Sequence, residues 1–229
     1  MRVLLTRPPE DGAETARQLA LRGHQALLAP LLSTRFFDGP DIALDGVQAI
    51  LATSANGVRA LARRTGARDL PLFAVGPQTA AQARKLGFTD VKSADGDADA
   101  LASATRDWAA PGKGALLHVA GEGNDGKLAA ALSDFSVRRE ILYAVTAAEK
   151  LPAEIPAWLA DGKVDAALFF SPRSAAIFRD LAIKEGLDLK GVLAVAISPA
   201  AAAALEPLVL AGVRTAQRPN LENLLNLLI

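Results

Sequence analysis

The sequence predicts an α/β protein built from two flavodoxin/Rossmann-like parallel-sheet domains. The second is inserted into the first and joined to it by a two-stranded β hinge. Three observations predict this. Ile50-Leu51-Ala52-Thr53-Ser54-Ala55-Asn56-Gly57-Val58 and Ala167-Leu168-Phe169-Phe170-Ser171-Pro172-Arg173-Ser174-Ala175 are near copies. Each reads as a buried strand that breaks at a small-residue turn and opens a helix. A second match follows each one. Phe73-Ala74-Val75-Gly76-Pro77-Gln78-Thr79-Ala80 corresponds to Val195-Ala196-Ile197-Ser198-Pro199-Ala200-Ala201-Ala202, and a repeat this long marks two similar domains rather than a solenoid. Third, short apolar runs alternate with helical patterns throughout, as in parallel sheets covered by helices on both faces.

The elements follow in order. Strand Val3–Thr6 leads to helix Asp11–Leu21, which Gly23 closes, and then to strand Gln25–Ala29. Strand Ala49–Thr53 leads to helix Asn56–Thr65 before Gly66, and strand Leu72–Val75 to helix Gln78–Leu86 before Gly87. Strand Asp90–Lys92 precedes helix Ala98–Trp108. Strand Ala115–Val119 precedes helix Asp125–Leu132 and strand Ser136–Arg139. Helix Glu154–Asp161 ends before Gly162, and strand Ala166–Phe170 opens helix Ser174–Glu185 before Gly186. Strand Ala194–Ile197 opens helix Ala200–Leu210 before Gly212. Strand Val213–Ala216 and helix Leu221–Leu228 complete the chain. A glycine just past a helical pattern is the expected C-terminal stop, because it adopts the left-handed conformation without strain.

The order of the repeats sets the connectivity. Leu4-Leu5-Thr6-Arg7-Pro8 with its helix and strand resembles Leu116-Leu117-His118-Val119-Ala120 with its own. Units one and two of the first domain come first. Units three to five of the second domain follow, then its own one and two, then three to five of the first. One domain is therefore a circular permutation inserted into the other. The expected boundaries are 1–33 plus 148–229 for the first domain and 38–141 for the second. Two crossings are needed, and the extended, β-prone stretches at about 29–37 and 139–150 supply them. A cleft between the domains is expected, with the turns at the C-terminal ends of the strands facing it, since ligands of open α/β sheets bind there.

Composition narrows the function. Hydrophobic residues make up 51% and charged residues 22%, as in a packed soluble core. Lys plus Arg and Asp plus Glu are both 25, so no global field draws the chain to nucleic acid or to an anionic membrane. There is no Cys, and the only histidines are His24 and His118. This excludes thiolate chemistry, argues against a metal site and leaves no basis for a histidine triad. The N-terminus turns polar too soon for a signal peptide. The apolar stretch Gly191–Val213 is cut by Ser198-Pro199 and Pro207, so strand-turn-helix explains it better than a membrane span. A cytoplasmic protein is expected. No Walker motif occurs, and no nucleotide cofactor is expected.

The candidate site residues lie where strands end. Ser54 and Ser171 are N-cap residues by position, and each turn also leaves spare backbone N–H donors for a carboxylate or phosphate. Asn56 and Ser174 sit in the same two turns. Gly76 permits close backbone approach, and Thr79 follows it where the other repeat has Ala201, so the fold itself does not require that hydroxyl. Ser198 matches Gly76. Thr6 ends the first strand. Arg7, just past it, and Arg173, in the Ser171 turn, read either as solvated surface charges or as carboxylate clamps. Tyr143, the only tyrosine, reads either as a space-filling strand aromatic or as a phenol able to pass a proton to a leaving hydroxyl. Gly121-Glu122-Gly123-Asn124-Asp125-Gly126 reads as a Gly-rich turn, and His118 as a satisfied core histidine.

These residues together resemble the uroporphyrinogen-III synthase family. The resemblance rests on Leu4-Leu5-Thr6-Arg7-Pro8, Thr53-Ser54-Ala55-Asn56-Gly57-Val58, Ala74-Val75-Gly76-Pro77-Gln78-Thr79-Ala80, Leu142-Tyr143-Ala144-Val145-Thr146, Phe170-Ser171-Pro172-Arg173-Ser174 and Ala196-Ile197-Ser198-Pro199. It implies a cyclase that closes hydroxymethylbilane, a linear tetrapyrrole, with loss of water and inversion of the terminal ring. It implies no metal and no organic cofactor, and a substrate handed over by hydroxymethylbilane synthase; a cleft that supplies the site within one chain argues for a monomer. It implies that Thr6, Ser54, Thr79, Ser171 and Ser198 are the cleft-facing polar residues and that Tyr143 assists loss of the hydroxyl. Ala201 stands where relatives have Thr, Ser198 where they have Gly, and Ala120 where they have Arg. Two other readings stand beside it: a two-lobed binding module for a small anionic ligand, and, from the departures at Ala201 and Ala120, a degenerate synthase-like regulatory domain.

Overall fold

The computed structural model of the chain describes residues 1–123 and 126–228. In chain order the elements are β1 (Arg2–Leu5), α1 (Pro9–Leu21), β2 (Gln25–Leu28), β3 (Leu32–Phe36), β4 (Val47–Ala52), α2 (Ala55–Ala62), β5 (Leu72–Ala74), α3 (Pro77–Lys85), β6 (Val91–Ser93), α4 (Ala98–Trp108), β7 (Ala115–Gly121) and α5 (Lys127–Ala131). Then come β8 (Val137–Ala147), α6 (Glu154–Ala160), β9 (Ala166–Phe169), α7 (Pro172–Glu185), β10 (Leu193–Ala196), α8 (Pro199–Ala203), β11 (Gly212–Thr215) and α9 (Leu221–Leu225). They group into two compact units, Met1–Ser33 with Thr146–Ile229, and Thr34–Val145.

The first unit has a five-stranded sheet in the order β11-β10-β9-β1-β2, and each of its pairings is parallel. The second has the order β3-β8-β7-β4-β5-β6. Without β3 the two orders are the same: β7 and β8 stand where β1 and β2 stand, and β4, β5 and β6 where β9, β10 and β11 stand. The circular permutation is thus visible in strand order. Register corrects the alignment of the first strands. Leu51 pairs with His118, and its repeat partner Leu168 pairs with Leu5. His118 therefore corresponds to Leu5 rather than to Thr6, and Ala120 corresponds to Arg7.

The central strands of each sheet are buried on both faces, so they are continuous apolar runs rather than alternating ones. The period of two still sorts the side chains. In the first unit, Leu4, Ala167, Phe169 and Ala194 pack into one core with Phe178 and Leu181 of α7. Val3, Leu5, Leu168 and Val195 pack into the other with Leu19 of α1 and Leu224 of α9. In the second unit, Ile50, Ala52, Leu72, Ala74 and Leu117 face α2 and α3. Ala49, Leu51, Phe73 and Leu116 face Leu101 of α4 and Leu128 of α5. The two segments of the first unit are also pinned by polar contacts: Arg2 donates its backbone N–H to Asp165 at 2.6 Å and its guanidinium at 3.0 Å. These bonds hold the Asp165 carboxyl below its ordinary range.

Every expected strand is present, with ends moved by a residue or two. Two regions differ. The expected strand 136–139 and crossing 139–150 form one eleven-residue strand, β8. Its partner β3 lies in the other crossing. Phe37 N donates to Leu142 O, and Ala148 N to Leu31 O, a pattern that runs the pair antiparallel. The helix expected over 200–210 stops at Ala203. Pro207 lies four residues on, and a proline ring clashes with the carbonyl of residue i−4. The helix expected to Thr65 ends at Ala62, where the Arg68 guanidinium donates to the carbonyls of Ala62 and Thr65 and so satisfies the helix end. The last helix ends at Leu225 rather than Leu228. The expected helix start at Asp125, and Asn124-Asp125 of the Gly-rich turn, lie outside the described residues.

Candidate functional site

Strand ends and helix starts in both units build the same local device. In the second unit, β4 ends at Ala52 and Ser54 caps α2, accepting from Gly57 N at 3.0 Å. In the first, β9 ends at Phe169 and Ser171 caps α7, accepting from Ser174 N at 3.1 Å. The extended backbone of each cap and its hydroxyl fit the preference for serine there. The units differ three residues on. Ser174 is buried and its hydroxyl donates to Ser171 O at 3.0 Å. Gly57 has no side chain, and a Cβ there would meet Val119 O at 2.9 Å.

That difference leaves Ser54 available to another partner. Its Oγ lies 2.7 Å from the Tyr143 hydroxyl, across 89 positions of sequence. Tyr143 is buried, 8% exposed, in the core that packs on α2. Asn56 is tied on both sides: its Nδ2 donates to Thr34 Oγ1 at 3.1 Å, and its Oδ1 accepts from Arg59 at 2.7 Å. Arg59 also donates to Gln82 of α3 at 3.2 Å. Thr34, Arg59 and Gln82 thus brace the turn, and no motif marked them in the sequence.

The second helix start of each unit also differs. Ser198 caps α8, accepting from Ala201 N at 3.3 Å. Gly76 at the start of α3 has no side chain to cap with, which leaves the first-turn N–H groups of Gln78 and Thr79 to solvent or a ligand. Thr79 is 6% exposed, and its hydroxyl makes no hydrogen bond to another described residue. The structure does not join it to Tyr143. Ala201, its counterpart, is fully buried.

Thr6 is 1% exposed and donates to Leu168 O at 2.6 Å, so its hydroxyl is committed to the sheet. Arg7 lies with its guanidinium carbon 4.4 Å above the centre of the Phe170 ring, and its Nη2 is 3.8 Å from Asp11. Stacking and the carboxylate hold it at the strand end. Arg173 is exposed in the first turn of α7 and has no ion pair or hydrogen bond among the described residues.

His118 is not satisfied as the sequence suggested. It is fully buried within β7, its Nε2 is 3.5 Å from Thr53 Oγ1, and Nδ1 has no partner. Burial, helped by the Arg139 cation, pushes its pKa from 6.5 down to about 4. Between those values the unfolded chain takes up a proton that the folded chain refuses. The stability of the second unit is therefore fully present above pH 6.5 and falls as pH drops towards 4. We expect His118→Leu to flatten this slope, read as the urea midpoint of the second unit from neutral pH down to about pH 4. An unchanged slope would assign the acid loss to other groups.

Among the described residues no cluster of His, Cys, Asp and Glu could hold a metal, and no helix is long and apolar enough to cross a membrane. The first unit also has surface cavities. One of about 430 Å³ is lined by α8 from Pro199 onward, Leu210 and Val213.

The family model described as HEM4, uroporphyrinogen-III synthase HemD, matches residues 13–226. Uroporphyrinogen-III synthetase from Helicobacter pylori has a similar structure over 100% of this chain and 98% of its own. The identity is 15% and the TM-score 0.65. A mutant uroporphyrinogen III synthase from the extreme thermophile Thermus thermophilus is similar over 99% and 97%, at 19% identity and a TM-score of 0.53. At such identities the likeness is one of fold. No curated protein sequence matches the chain significantly.

Proposed function

The chain belongs to the uroporphyrinogen-III synthase family, and we propose that it acts as a cyclising hydro-lyase on hydroxymethylbilane. The reaction removes the terminal hydroxyl as water, leaves an azafulvene cation, and closes the macrocycle through a spiro intermediate that inverts ring D. What carries the reading is the family match across residues 13–226. The site chemistry agrees with it. The substrate bears many carboxylates, and the turns at Ser54, Gly76, Ser171 and Ser198 offer helix N-termini, which attract anions. Asn56 and Ser174 hold two of these turns in shape. Arg173 is an uncommitted cation beside one of them, and Arg7 and Thr6 stand at the neighbouring strand end.

The chemistry needs little acid–base power. A linear tetrapyrrole that closes unaided to the wrong isomer needs its ends held in one geometry, which is catalysis by restraint. One proton donor for the leaving hydroxyl completes the requirement, and Tyr143 is that donor. Thr79, a largely buried residue at an uncapped helix start, is the second polar group assigned to the reacting end. No metal or organic cofactor enters this scheme. The reading takes the chain as a monomer acting in the cytoplasm on a substrate released by hydroxymethylbilane synthase.

The test supplies hydroxymethylbilane, oxidises the products and separates the porphyrin isomers by chromatography. The expected product is the type III isomer. A mixture indistinguishable from the spontaneous type I ring overturns the cyclase reading and leaves an anion-binding or regulatory domain.

A further inference from the structure

We propose that three features of the second unit form a prebuilt mount for the Tyr143 phenol, in which Ser54 acts as a positioning residue and Gly121 admits the ring. The proposal deepens the cyclase reading and rests on it for the catalytic consequence. Its geometry stands independently.

The first feature is a bulge. Along the parallel β7–β8 pair, Ala120 is opposite Ile141, but the next residue, Gly121, is opposite Tyr143. Leu142 is the extra residue. Neighbouring side chains of a regular strand face opposite sides, yet Leu142 and Tyr143 both belong to the core that packs on α2. Bulges are rare in parallel pairs and re-aim side chains. This one turns Tyr143 onto the face that carries Ser54.

The second feature is the missing side chain at Gly121. A Cβ there would lie 2.7 Å from Tyr143 Cζ, 2.8 Å from Cε2 and 3.0 Å from the hydroxyl oxygen. The ring therefore rests directly on the β7 backbone, and any other residue at 121 must displace it. No positive φ is required at Gly121, so space alone accounts for glycine here.

The third feature is the chain of hydrogen bonds from Gly57 N–H to Ser54 Oγ and on to the Tyr143 hydroxyl, 3.0 and 2.7 Å. With one lone pair taken by Gly57 N–H, Ser54 keeps its own hydrogen to give. While the phenol O–H points at the substrate, the phenol oxygen accepts from Ser54. The step then balances. The phenol O–H bond breaks and its proton joins the leaving oxygen. The C–O bond breaks with its electron pair going to that oxygen, water departs, and the exocyclic carbon is left cationic. The phenolate accepts the Ser54 hydrogen bond until the proton shed on ring closure returns to it. In this arrangement the Ser54 hydroxyl serves Tyr143, while the backbone of its turn remains for a carboxylate.

The test uses Ser54→Ala, Ser54→Thr and Gly121→Ala in the full chain. Tyr143 is the only tyrosine, so the tyrosine ring doublet in ultraviolet resonance Raman spectra reports the hydrogen bonding of this phenol alone. Steady-state kinetics with hydroxymethylbilane give the second readout. Ser54→Ala is expected to change the doublet ratio and lower kcat about tenfold, the scale of one net hydrogen bond, with KM nearly unchanged. Ser54→Thr should restore both. Gly121→Ala should change the doublet and lower kcat while leaving the α2 cap intact. A doublet identical in wild type and both alanine variants overturns the mount. A raised KM with unchanged kcat in Ser54→Ala also overturns it, making Ser54 a plain substrate contact. If the wild-type protein forms only the type I ring, the cyclase reading fails and the spectra still decide the geometry.

Discussion

Phe169→Ala is expected to lower the stability of the first unit by about 3–5 kcal/mol, the range for emptying a buried phenylalanine site. Phe169 is fully buried at the end of β9, and its ring centre lies 5.2 Å from that of Phe178 on α7. The cavity would open in a core drawn from both segments of the discontinuous unit: Leu4, Leu27 and Ala29 from the first, Phe178 and Ala194 from the second. Neither segment can collapse into it without giving up its own sheet pairing, so relaxation recovers little. The cores of the second unit contain no residue of this cluster. Two units with separate cores mean that one unfolding free energy does not describe the chain. The two tryptophans resolve this, since Trp158 packs on the damaged core and Trp108 on a core of the other unit. In urea, with Trp108→Phe or Trp158→Phe as background, the Trp158 midpoint should fall and the Trp108 midpoint should hold. An equal fall in both would show that the units unfold as one.

Much of the fold was legible because it is written in repeated local signals. Buried parallel strands are short apolar runs, and helix starts announce themselves as Ser-Pro or Gly-Pro. The same signals occur twice in permuted order, so the insertion could be read without any structure. The one-residue slip in aligning Thr6 with His118 came from apolar strands that look alike in either register, and only pairing with Leu51 and Leu168 resolves it. Beyond Ala203 an alanine-rich pattern continues to read as helix, and Pro207 overrides it. The site was legible in part. Ser54, Ser171 and Tyr143 stood out by type and place, but nothing in the sequence joined Ser54 to Tyr143. That link depends on a bulge at Leu142 and on empty space at Gly121, and both are properties of strand pairing rather than of local composition. Gly121 was visible only as the start of a Gly-rich turn. A glycine ending a buried strand, with a lone tyrosine on the next strand, was the available clue. Asn56 and Thr6 read as ligand contacts, yet their polar atoms bond Thr34, Arg59 and Leu168 O, which makes them braces first.

Tyr143→Phe is expected to lower kcat by about 100-fold or more, the usual worth of a positioned proton donor, with KM little changed. The substitution isolates the hydroxyl. Phe keeps the ring, so contact with Gly121 and the core around Leu142 is preserved. What is lost is one hydrogen bond to Ser54, worth about 1 kcal/mol of stability, and Ser54 still caps α2 through Gly57 N–H. A large kinetic effect beside a small shift in the unfolding midpoint would therefore belong to chemistry rather than to packing. The product distribution gives a second sign. Slow release of the hydroxyl leaves more substrate to close in solution, so the ratio of type I to type III isomer should rise with the loss in rate. Initial rates and isomer ratios from the same incubations check both. Turnover equal to wild type would reduce Tyr143 to a strand aromatic. The proton for the leaving hydroxyl would then have to come from Thr79, the other hydroxyl assigned to the reacting end, or from water.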